Sequence, residues 1–215
     1  MEHTKTPRDF VKLKLKLFKM KKLLGILVLG LLIFASPSYT ADIRDFQVEG
    51  MSIGDSLLDH FSEKEINSNK GKGEFKIHKF IYADIGKLKS LEIYSSLRGW
   101  LKPEDKNYKL YSVEGNIFYG NKINDCYKKQ KEIVDELTEL FKDENVEKFE
   151  GETKKHELDK SGRSTYIATY FDFTSGGTVQ ITCTDWSKEL KWPDQLSVAI
   201  DTKEYGDFLQ FGAWK

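Results

Sequence analysis

Residues 108–141, YKLYSVEGNIFYGNKINDCYKKQKEIVDELTELF, change their hydrophobic period once, and that change decides the fold class. In the first part Tyr111, Val113, Ile117 and Tyr119 share one parity, and Ser112, Glu114 and Asn116 share the other. A period of two is that of a strand with one buried face. Gly115 within it reads as the mark of a bulge. From residue 123 the period becomes 3.6. Ile123, Cys126, Tyr127, Ile133, Val134, Leu137, Leu140 and Phe141 fall on one stripe, with Lys128, Lys129, Glu132, Asp135, Glu136 and Glu139 on the other side. This is an amphipathic helix, with Asn121 or Asn124 as the expected N-cap and Cys126 pointing inward from its first turn.

Working outward, residues 74–83 and 90–97 upstream read as strands, and so do 146–153, 164–173, 178–185 and 195–201 downstream. Ser175-Gly176-Gly177 supplies a tight hairpin between two of them. Val179, Ile181 and Cys183 share a parity, so Cys183 also points inward. A helix cysteine and a strand cysteine, both inward, fit a Cys126–Cys183 disulfide that staples helix to sheet, with two free buried thiols as the alternative. Residues 203–210 read as a short final helix that buries Tyr205, Phe208 and Leu209. Near the other end, residues 43–49 read as a short strand or extended arm. Ser52 and Asp55 have capping-box spacing, followed by Ile53, Leu57 and Phe61 at helical intervals. Ser62 and Glu65 repeat the capping signal, and residues 67–73 (NSNKGKG) read as a loop. The order is helix, three strands, helix, four strands, helix. It predicts an α+β fold: an antiparallel sheet of about seven strands, in meanders and hairpins, with helices on one face. The same order suggests a duplicated unit in two halves, 42–120 and 121–215.

The chain has 34 basic and 34 acidic residues among 215, and the balance is uneven along it. Residues 1–22 carry eight basic and two acidic side chains, a net +6, so residues 42–215 carry −6. Behind Lys21 and Lys22 lies an apolar run of 13 residues from Leu23 to Ala35, followed by the small-residue stretch SPSYTA. That order is the pattern of a secretory signal peptide, with Met20 as an alternative start and cleavage expected between Ser38 and Ala41. Such a protein is exported, to the periplasm or the exterior. The alternative is an uncleaved segment that anchors the chain to the inner membrane, the one way a membrane enters as partner. The run is shorter than the roughly 20 residues a spanning helix needs. Export also places the two cysteines where a disulfide persists.

Gly50-Met51-Ser52-Ile53-Gly54 fits the G-x-S-x-G nucleophile elbow. The overlapping Gly54-Asp55-Ser56-Leu57 resembles the GDSL signature of serine esterases and lipases, which implies Ser56 or Ser52 as a catalytic nucleophile. That family also carries a late Asp-x-x-His, and this chain has none. A hydroxyl nucleophile needs a positioned base, and only His60, His78 and His156 follow the leader. A helix N-cap for Ser52 and a first-turn position for Ser56 account for the two serines more simply. No zinc, calcium, P-loop or dinucleotide spacing occurs, so no cofactor and no metal are expected. A −6 domain with interleaved charges is not a nucleic-acid binder. Trp186 and Trp192 bracket WSKELKWP, the segment expected to form a binding surface.

The segments GMSIGDSLLDHFSEKEI, NDCYKKQKEIVDELTELF and TCTDWSKE resemble those of short exported proteins from AT-rich marine bacteria. That likeness implies export and no particular activity. The Gly-Met-Ser helix start followed by a meander is also similar in pattern to small outer-membrane assembly lipoproteins and to the β-lactamase-inhibitor-like fold. The chain lacks the lipid-bearing cysteine of those lipoproteins. The functional expectation is a non-enzymatic binding module for a protein or other envelope component, with a serine hydrolase as the alternative.

Overall fold

The computed structural model describes residues 42–214. The expected leader, with its run from Leu23 to Ala35, lies outside the described residues. Among the described residues no helix is long and apolar enough to cross a membrane.

The described strands are β1 (Lys70–Lys72), β2 (Ile81–Asp84), β3 (Ser96–Leu101), β4 (Ser112–Gly120), β5 (Val146–Glu150), β6 (Lys154–Lys155), β7 (Thr165–Phe173), β8 (Thr178–Asp185) and β9 (Asp194–Asp201). They form one sheet in the order β1-β2-β3-β4-β9-β8-β7-β5, with β6 also on β7. Every pairing is antiparallel. The strands beyond the expected seven are very short: β1 has three residues and β6 two. One meander runs from β1 to β4, another returns from β5 to β9, and they meet where β4 pairs with β9. The described α-helices are α1 (Glu63–Ser68), α2 (Ile123–Leu140) and α3 (Lys203–Phe211).

α2 lays Ile133, Val134 and Leu137 on the face formed by Val113, Val179, Ile181, Leu196, Val198 and Ile200, all buried. The Cys126–Cys183 disulfide is present and ties the first turn of α2 to β8, in keeping with the inward parity of both cysteines. Gln130, buried on α2, donates its side-chain amide to the carbonyls of Ile167 (3.0 Å) and Ile181 (2.9 Å). α3 folds over one corner of the opposite face. There Tyr205 and Phe208 pack with Phe80 and Trp100 in a second, aromatic cluster.

Several local expectations are corrected by tertiary contacts. The N-cap of α2 is Lys122, which makes no side-chain capping bond. Neither Asn121 nor Asn124 serves; the Ile123 N–H bonds instead to the carboxylate of Asp194, from β9. Residues 74–80 are not strand, because Phe75 and Phe80 turn into the aromatic cluster rather than alternating on the sheet. Residues 90–95 are not strand either. The Glu49 carboxylate takes the N–H groups of Glu92 (3.0 Å) and Ile93 (2.9 Å), donors that a ladder would have used. Residues 43–49 form a 3-10 turn, Ile43–Asp45, and a single bridge between Val48 and Met51. The irregularity in β4 falls between Phe118 and Gly120, while Gly115 is in regular pairing. Gly115 is instead a close approach: a Cβ there would lie 2.5 Å from the Tyr94 ring. Part of the expected loop, Lys70–Lys72, is the edge strand β1.

Candidate functional site: the open face of the sheet

The sheet face opposite α2 carries the remaining candidate chemistry. Its residues are fixed by register. Arg98, Glu114, Ala199, Gln180, Tyr170 and Phe149 stand in one row across six strands. The next row holds Asn116, Ser197, Thr182 and Ala168, and the one after it Phe118, Gln195, Thr184 and Tyr166. This face has a short-chain polar floor with aromatic groups around it: Asn116, Thr182, Thr184, Ala168 and Ala199 are buried, and Glu114, Gln180, Tyr170, Ser197 and Gln195 are half-buried.

The floor is hydrogen-bonded along its length. Gln195 donates to Ser197 Oγ at 3.4 Å, Ser197 Oγ donates to Asn116 Oδ1, and Asn116 Nδ2 donates to Glu114 Oε1 at 3.3 Å. Trp100 Nε1 closes the chain on Glu114 Oε2 at 3.3 Å. Gln180 donates to Thr182 Oγ1 at 2.8 Å. Arg98 lies over the ring of Tyr82, 4.6 Å from its centroid. Burial pushes the Tyr170 hydroxyl up to about 12, so it stays a neutral donor across the ordinary pH range.

At one end, beyond Tyr166, sit the two sequence-flagged tryptophans. Trp186 is buried and Trp192 is 43% exposed, and their rings meet edge to face at 4.8 Å. His156 stacks on Trp186 at 4.3 Å, and burial holds its pKa below the usual histidine value. Trp186 is thus an anchor for its partner rather than an exposed platform. Asp159 underpins this end. It accepts from Ser161 N–H and from Ser164 N–H and hydroxyl, bonds that hold its carboxyl far below the usual range. At the other end, Ser112 and Asp201 lie opposite each other, both buried. Burial raises Asp201 to about 7, and the negative charge of Glu114 adds to the rise.

The serine candidates lie elsewhere, in the segment before β1. Ser56 caps the 3-10 turn Leu57–Asp59: its Oγ accepts from Leu58 N–H (3.2 Å) and donates to the Asn107 carbonyl (2.6 Å). Ser52 is buried, and its hydroxyl has no hydrogen-bond partner. Its N–H bonds Asp55 Oδ2 at 2.8 Å, the expected reciprocal contact. No helix follows, because the chain turns at Gly54 with φ 92°. Among the described residues neither hydroxyl contacts a histidine, and no group of three or more His, Cys, Asp or Glu side chains is placed to hold a metal ion.

Sequence reasoning flagged Trp186 and Trp192 but missed the polar floor. Its members are ordinary outward-facing strand residues, and only strand order places Glu114 in a row with Gln180 and Tyr170. No family model matches the chain, and neither a curated protein nor a solved structure matches it.

Proposed function

We propose that this protein is an exported, non-enzymatic binding module whose open sheet face receives a protein partner of the cell envelope. The row from Arg98 to Phe149 carries the reading. Glu114 and Gln180 are already held by hydrogen bonds and Arg98 by the Tyr82 ring, so little of their side-chain freedom is lost on docking. Phe118 and Phe149, 44% and 49% exposed, with Trp192 at one end, supply the large apolar anchors that protein interfaces favour. The disulfide and the +6 leader support an oxidising, extracytoplasmic setting.

A photo-crosslinking residue at Ser197, on the floor, is compared with one at Lys131, on the outer side of α2, in cells producing the full chain. A discrete protein adduct from position 197, absent from position 131 and lost on Tyr170→Ala, is expected. Equal labelling at both positions overturns the proposal. Labelling by a fluorophosphonate probe that disappears in Ser56→Ala or Ser52→Ala would replace it with the hydrolase reading.

A further inference from the structure

We propose that two copies of this chain join through the β5 edge, strand against antiparallel strand, about a two-fold axis at Phe149. β5 ends the sheet order and is paired on one side, by β7. The N–H of Gly151 bonds the Ala168 carbonyl at 2.8 Å, so by alternation Phe149 and Glu147 direct their backbone toward β7. Lys148 and Glu150 then present N–H and C=O outward. Residues 147–150 are all exposed, and Phe149 is among the few large apolar side chains that are.

Charges on an edge strand ordinarily deter pairing. Here they alternate so that one register turns them into attraction. Pairing about Phe149 sets each Lys148 opposite Glu150 of the second copy, in the hydrogen-bonded positions. The two Phe149 rings then meet at the non-hydrogen-bonded position, where side chains come closest. Centring the pair on Lys148 instead sets Lys148 against Lys148, and centring it between Lys148 and Phe149 sets Glu147 against Glu150. The Phe149 register is therefore selected by charge. The pairing is short, because the register of the edge slips by one residue between β5 and β6. A reversible, concentration-dependent dimer follows, and it extends the open face of one copy into that of the other. The inference does not depend on the binding role proposed above.

The test is sedimentation of the full chain over a concentration series, with Lys148→Glu and Glu150→Lys variants run alone and mixed. Each variant alone sets like charges opposite and is expected to associate about tenfold more weakly than the parent. The equimolar mixture restores opposite charges in both rungs and is expected to recover the parent association. The pair of Lys148 with Glu150 inside one chain, at 2.7 Å, is lost in both variants and is not regained on mixing, so the recovery reports the contact between copies. A parent that stays monomeric, or association that ignores the charge changes because residues 1–41 drive it, overturns the proposal.

Discussion

Ser112 and Asp201 face each other across the β4–β9 ladder, 1% and 4% exposed, and the Ser112 hydroxyl favours the charged Asp201 carboxyl without making up for its burial. A buried carboxyl without full compensation costs least when it is neutral. Asp201 is followed by Thr202, whose side chain caps α3 by accepting from Tyr205 N–H. The carboxyl thus sits at the joint between the sheet and the helix that closes its corner.

The first prediction concerns pH. Asp201 titrates near 3.8 when unfolded and near 7 when folded, raised by burial and then by Glu114, with the nearby Ser112 hydroxyl opposing. Between those values the folded state holds the proton more tightly. Its stabilising contribution is complete below the unfolded pKa and is lost as pH rises through the folded one. Asp201→Asn removes that slope. Relative to its difference from the parent at pH 4, the variant is expected to gain roughly 2–4 kcal/mol by pH 8. Urea denaturation at both pH values measures it, and a pH-independent gap would refute it.

The disulfide spans a sequence separation of 57. Replacing Cys126 and Cys183 together by Ala is expected to cost about 4 kcal/mol in the loop-entropy description. Chemical denaturation of the parent with and without reductant should reproduce the loss. Two reactive thiols in the denatured, unreduced parent would contradict the bond itself.

Gly115 is set by contact rather than by backbone angle. A methyl there meets the Tyr94 ring, and Tyr94 is 5% exposed with its hydroxyl pKa raised by burial. Gly115→Ala is expected to destabilise by about 1–3 kcal/mol, the usual cost of overpacking. Gly120→Ala is the control, since open space surrounds it, although its φ of 63° adds backbone strain. A thermal melt for Gly115→Ala that overlays the parent would show the ring has room to move.

Ser56→Ala removes a cap and a bond to the Asn107 carbonyl. A loss of about 1–2 kcal/mol is expected, with no change in background turnover of short-chain nitrophenyl esters. An esterase rate that falls with Ser56 would show that the hydroxyl does chemistry.

Much of the fold is legible in the sequence because the decisive interactions are periodic. The alternation through Val113 and Ile117 marks β4, and the 3.6-residue stripe through Ile133 and Leu137 marks α2. The same two periods turn Cys126 and Cys183 toward each other. Legibility fails where a distant group takes over a local role. Asp194 caps a helix that begins 71 residues earlier in the chain, and Glu49 captures the N–H groups of residues 92 and 93. Local propensity cannot anticipate either, because the partner is set by strand order.

The candidate site divides the same way. Trp186 and Trp192 were visible as aromatic residues near a strand end, yet their unequal burial depends on His156 stacking from another segment. The floor of the open face was not visible, since polar outward residues in strands carry no mark of their neighbours. The sequence by itself determined an antiparallel α+β fold, an inward cysteine pair and a −6 charge on residues 42–215, because side-chain period and charge are local properties. Only the tertiary structure decided which face stays open and that Asp201 is buried without a full set of partners. It also left the outer side of β5 without a strand partner among the described residues. Those outcomes depend on which strands become neighbours, and neighbours are chosen by packing of the whole sheet.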